Sequence, residues 1–127
     1  MIAVDTSVWI AASRERRVAA VLNELIDADE VTVPLPVWLE LLAGAGRRGR
    51  ADFERRFAPL AKLVPTEETW APVAGWIVRA SDAGERFGII DLLIASLAEE
   101  IGGLVWSLDK DFERMEKLKI VSLYSPQ

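Results

Sequence analysis

The apolar run Ile2–Val4 stops at Asp5-Thr6-Ser7. This reads as a short buried strand feeding a helix over Ser7–Ser13, with the hydroxyl pair as its cap. From Arg16 to Ala28, apolar residues fall at Val18, Val21, Leu22, Leu25 and Ile26, the spacing of a helix with one buried face. Val31-Thr32-Val33 predicts a second strand, stopped by Pro34, and Pro36 suits the first turn of a helix running through Trp38 and Leu42 to a stop at Gly44. A separate helix anchored by Phe53 and Phe57 follows, then a short strand at Lys62-Leu63-Val64. Thr66, Glu67 and Glu68 resemble a helix start, with Trp70, Val73, Ala74 and Ile77 on one face and Gly84 at the end; Pro72 either kinks this helix or marks a later start. Asp91 opens an apolar helix through Ala98. Gly102-Gly103 separates it from a strand over Leu104–Leu108, a turn of helix around Asp111–Met115, and a last strand, Ile120–Leu123.

Most of these strands are short and apolar without alternation, and helices intervene between them. That pattern predicts an α/β fold in which helices cover both faces of a parallel sheet. No Pro-, Gly- or Ser-rich linker divides the chain, so residues 1–127 are expected to form one domain.

The chain contains neither cysteine nor histidine. Disulfides, Cys/His zinc sites, thiol nucleophiles and imidazole acid–base chemistry are thereby excluded. Any catalysis falls to carboxylates, hydroxyls, Lys and Arg. The apolar start carries Asp5 and lacks a basic segment, so no secretory leader is expected and the cytoplasm is the expected location. A net charge of −5 argues against a polyanionic partner at first, but binding depends on local patches. Arg47, Arg48, Arg50, Arg55 and Arg56 stand against Asp52 and Glu54, a local net of +3. Arg47, Arg48 and Arg50 are candidates for following a nucleic-acid phosphate backbone; a solvated helix face explains them equally.

Four acids stand out by isolation. Asp5 is the only charged residue in Met1–Ser13, Glu40 the only one in Val31–Gly46, and Asp91 the only one in Phe87–Ala98; Asp109 ends the uncharged run Ile101–Leu108. A lone carboxylate in an apolar stretch is costly to bury without compensation. Asp5 and Asp109 follow predicted strands, while Glu40 and Asp91 are expected in first turns of helices, so the carboxyl edge of a parallel sheet would collect all four. Each also has an ordinary explanation: a helix cap, an Asx turn or a solvated charge run. Two carboxylates about 5 Å apart repel by roughly 3 kcal/mol at an effective dielectric of 20, so gathering them calls for a cation. Their motifs contain no basic residue that counts as a compensator. Oxygen-only ligands favour Mg²⁺ or Mn²⁺, and such ions support phosphodiester hydrolysis.

The segments VDTSVWIA, VWLELLAG, GIIDLLIASLA and LDKDF together resemble the PIN-domain nucleases, specifically VapC-type toxins of toxin–antitoxin pairs, across essentially the whole chain. The resemblance implies a three-layer α/β/α domain and Mg²⁺- or Mn²⁺-dependent endoribonuclease activity on RNA. It also implies a homodimer and restraint by a VapB-like antitoxin. By motif position Asp5, Glu40, Asp91 and Asp109 fall on the metal-binding acids, Thr6 or Ser7 on the hydroxyl position, and Asp111 is a reserve ligand. Ser107 stands where Thr is common. Three rivals follow: a PIN-like module that binds without cutting, a housekeeping RNA-processing nuclease, and a phospho-acceptor receiver domain. The last would need an acidic pair after the first strand, where Thr6 and Ser7 stand.

Overall fold

Three apolar residues in succession leave no polar face. In the computed structural model, which describes residues 1–126, Ile2–Val4 forms the first strand, β1, and every residue of it is buried. The remaining strands are β2 (Val31–Pro34), β3 (Ala61–Leu63) and β4 (Leu104–Trp106). Their spatial order is β3-β2-β1-β4 and all three pairings are parallel. Helices α1 (Thr6–Ala12) and α2 (Arg16–Asp27) join β1 to β2, and α3 (Leu35–Phe57) joins β2 to β3. Between β3 and β4 run α4 (Glu67–Trp70), α5 (Val73–Asp82) and α6 (Ile89–Glu100); α7 (Lys110–Lys117) follows β4. The α/β fold with a central parallel sheet flanked by helices is the one its apolar, non-alternating strands require.

Leu92 through Ala98 of α6 are all buried, because this helix packs on β1 and β4 and also carries α4 and α5. A helix enclosed on all sides needs its polar groups satisfied. Ser96 Oγ donates to the Thr69 carbonyl at 2.6 Å, and Thr69 Oγ1 donates to Glu100 Oε1 at 2.7 Å. Trp9 and Trp76 belong to the core, and Trp38 packs edge-on against Phe53. On the exposed edge strand β3, Lys62 Nζ lies 3.8 Å from the centre of the Trp38 ring, a charge that discourages further strand pairing there.

Several boundaries differ from the sequence expectation. The expected pair of helices within Leu35–Phe57 is present, but the break between them falls at Gly46 (φ 68°, ψ −175°), a conformation open to glycine, rather than at Gly44. Pro72 marks a later helix start rather than a kink: having no N–H, it cannot continue the hydrogen bonding of α4, and it caps α5 instead. The last strand contracts to a single parallel bridge, Val105 to Leu123, because Ile120 N donates to Met115 O at the end of α7.

Gly103 sets how closely β4 approaches β1. Leu104 N donates to Met1 O at 3.0 Å, and a Cβ on Gly103 would lie 2.7 Å from that same oxygen. Gly103→Ala should therefore destabilise the fold by about 1–3 kcal/mol, read as a lowered urea midpoint at unchanged m-value.

Candidate metal centre

β1 ends one residue before Asp5, whose N–H donates to the Trp106 carbonyl at 2.9 Å. The first acid is thereby fixed between two adjacent strand ends. Its side chain is almost fully enclosed, and Oδ2 accepts hydrogen bonds from Ser7 Oγ and Ser107 Oγ, both at 2.8 Å. Among the described residues no hydrogen bond reaches Oδ1, which stays available to a cation. The two serines also accept backbone N–H groups: Leu108 N donates to Ser7 Oγ and Asp109 N to Ser107 Oγ, each at 3.0 Å. They thus tie the segment after β1 to the segment after β4.

The hydroxyl pair does not cap the first helix as expected. Asp5 occupies the cap position without a side-chain cap bond, Ser7 turns to Asp5, and Thr6 Oγ1 is buried without a partner among the described residues. Ser107, which stands where Thr is common, shares the hydroxyl's work on Asp5 with Ser7 from just beyond the end of β4.

Asp91 lies in the first turn of α6, behind the cap residue Gly88, and makes no cap bond. Asp109 does cap α7, its Oδ1 accepting Asp111 N at 2.9 Å. Asp91, Asp109 and Asp111 each place a carboxylate oxygen within 4.8 Å of the others. Asp111 therefore stands in the cluster beside Asp109. Burial, the larger cause, and the negative charges of Asp5, Asp109, Asp111 and Glu40 push the Asp91 carboxyl up to about 6. Glu40 contributes least to this. It sits in the second turn of α3 rather than the first, is exposed, and lines a groove shared with Thr6 and Trp9.

The groove, about 640 Å³, runs between α1, α2 and α3 past Leu22, Leu41 and Phe53 to Arg56. Arg47, Arg48 and Arg50 are exposed on the far half of α3 and do not line it. One basic residue does reach the acids. Arg114 donates through a terminal nitrogen to Asp111 Oδ1 and through Nε to Glu85 Oε2 at 2.8 Å. The expectation of a cluster without an internal cation is corrected on this point. The partner Asp111 sits three residues before Arg114 on one helix, a spacing the sequence displays; Glu85, on the loop between α5 and α6, does not announce itself.

The donor set is all carboxylate, with Asp5 oriented by hydroxyls and Asp91 held among like charges. It fits a hard divalent cation and offers nothing to a thiophilic one.

A raised carboxyl pKa has a direct consequence for stability. The Asp91 pKa is 3.8 ordinarily and about 6 in the fold. Its favourable contribution is thus complete below pH 3.8 and disappears as the pH rises through 6. Above that, the ionised group opposes folding in metal-free protein. Each pKa unit corresponds to ~1.4 kcal/mol; Asp91 is only partly buried, so solvent screening leaves about 1–2 kcal/mol to be gained by Asp91→Asn at pH 7. Chemical denaturation in EDTA should show that gain at pH 7 and none near pH 3.5.

Residues 2–118 match the family model described as the PIN domain. Nothing among the curated proteins matches the chain. Among solved structures, the chain is similar to FitAB bound to an IR36 DNA fragment (24% identity, TM-score 0.81, 98% of this chain and 94% of that one). It is also similar to VapBC2 from Rickettsia felis bound to a DNA fragment from its promoter (16%, TM-score 0.80, 100% of each chain). A third is VapBC-1 from nontypeable Haemophilus influenzae (19%, TM-score 0.80, 98% of each). With a family match over nearly its whole length and the fold those structures share, the chain belongs to the PIN-domain family.

Proposed function

We propose that the protein is a divalent-metal-dependent endoribonuclease, the toxin of a toxin–antitoxin pair acting in the cytoplasm. The observation that carries this reading is the gathering of Asp91, Asp109 and Asp111 within 4.8 Å, with Asp5 and Glu40 adding their charges. Asp5, Glu40, Asp91 and Asp109 are the proposed metal-binding acids, with Asp111 beside them. Mg²⁺ or Mn²⁺ bound there would supply Lewis acidity toward a scissile phosphate and lower the pKa of water. The chain's own part is positional: Ser7 and Ser107 hold Asp5 Oδ2, leaving Oδ1 without a hydrogen bond among the described residues, and the first turn of α6 presents Asp91.

Two features of the surface support a reading of the protein partners. FitAB and the VapBC complexes are named as pairs, and here the groove between α1, α2 and α3 opens beside Glu40 and Thr6. An antitoxin segment with an apolar face and an arginine would fill it and reach the acids. A second copy of the chain is the proposed occupant of the apolar patch around Ile77, Val78, Ile89 and Ile90, all exposed; Ile77 and Ile89 line one depression there.

Total RNA incubated with the protein and Mn²⁺ should yield discrete mapped 5′ ends that vanish in EDTA and return with Mg²⁺ or Mn²⁺. Cleavage untouched by thorough chelation would overturn the metal mechanism. Asp91→Asn should lower the rate by more than about a hundredfold, the ceiling typical of changes outside the ligand set. Mn²⁺ at about 100 times its Kd should raise the folding stability of the parent by ~2.7 kcal/mol. Because a proton competes for Asp91, Mn²⁺ affinity should weaken as the pH falls below about 6, measured by calorimetric titration.

A further inference from the structure

Arg114 lies at the rim of the acid cluster and holds two carboxylates that differ in position. Asp111 belongs to the cluster; Glu85 stands outside it, on the loop that leads into α6. The guanidinium divides between them, with Nε on Glu85 at 2.8 Å and a terminal nitrogen on Asp111. Its side chain is 42% exposed, against 33% for Asp111, so it remains within reach of a polyanion from solvent. A guanidinium carries five N–H donors, and these two bonds use only part of that capacity.

A cation bonded to Asp111 competes for the same carboxylate that a divalent ion would use, and it repels that ion. Once Asp111 turns to the ion, Arg114 would lose one partner but keep the other. The Glu85 bond then holds the guanidinium at the rim, with its terminal nitrogens free. An RNA phosphate brought to the acids carries the charge and the paired oxygens that a guanidinium recognises bidentately.

We propose that Arg114 is an exchangeable counter-ion. It neutralises Asp111 in the metal-free protein and is released to a phosphate oxygen of RNA when Asp111 turns to the metal, while Glu85 keeps it in place. The proposal rests on the nuclease reading for its RNA half, whereas its metal half stands on the ion pair itself.

Two readouts test it in the full-length protein, with thermal midpoints confirming that each variant folds. The first is calorimetric titration with Mn²⁺. Arg114→Gln should bind the ion about three- to tenfold more tightly than the parent, the effect of removing a partly screened neighbouring charge. Arg114→Lys retains the charge and should remain near the parent value. The second readout is binding of a non-cleavable 2′-O-methyl RNA in Mn²⁺, together with KM and kcat on cleavable RNA. Here Arg114→Gln should weaken binding and raise KM by about tenfold or more, with a smaller change in kcat; Lys should recover part of the loss and Glu85→Gln should share it.

A purely structural role predicts that metal and RNA affinity decline together with the thermal midpoint. Unchanged or weakened Mn²⁺ binding in Arg114→Gln would overturn the exchange, as would unchanged RNA binding at saturating Mn²⁺. A parent that neither cleaves nor binds RNA would overturn the nuclease reading and the RNA half of this proposal. In that case the Mn²⁺ titration still decides whether Arg114 competes with metal.

Discussion

Asp91 brings its charge into a half-buried crevice where the groups that bear on it most are other carboxylates. Desolvation and repulsion there have the same sign, and together they push its proton affinity into the range of mild acid. Folding alone gains nothing from such an arrangement. The sheet must bring together groups that oppose one another, and it does so because parallel strands deliver every following residue to one edge. Asp5 and Asp109 arrive after β1 and β4, while Asp91 arrives at the start of α6, the helix that packs on both of those strands.

What stabilises the arrangement without metal is a set of short polar contacts. Ser7 and Ser107 turn one oxygen of Asp5 into a hydrogen-bonded anchor and take up the backbone N–H groups of Leu108 and Asp109. Arg114 offsets Asp111 and joins α7 to the loop before α6 through Glu85. These contacts restrain the positions of the acids yet leave their combined charge largely uncompensated. A site prepared in this way is suited to binding a divalent cation rather than to contributing stability.

Much of this was legible in the sequence, and for a physical reason. Burying an isolated charge is expensive, so Asp5 and Asp91 stand out as the only charged residues in apolar runs; Glu40 stands out in the same way, but the fold leaves it exposed. The alternation of apolar strands with helices likewise exposed the parallel sheet. Less legible was anything that depends on which surfaces meet. Ser107 bonds to Asp5 across a separation of 102 positions, and Arg114 to Glu85 across 29, so neither pair has a local signature. The interruption in α3 falls at Gly46 rather than Gly44 because both glycines permit it and only tertiary packing chooses. The single bridge at Leu123 reflects competition between extending the sheet and closing the end of α7.

The central claim is that the carboxylates form one cation site at the carboxyl edge of the sheet. Anomalous diffraction at the manganese edge, from crystals grown with Mn²⁺, tests it directly. The account predicts a peak enclosed by Asp91 and the α7 acids Asp109 or Asp111, with Asp5 Oδ1 turned toward it and carboxylate oxygens at about 2.0–2.3 Å. Manganese bound elsewhere, with these carboxylates unengaged at a saturating concentration, would contradict it.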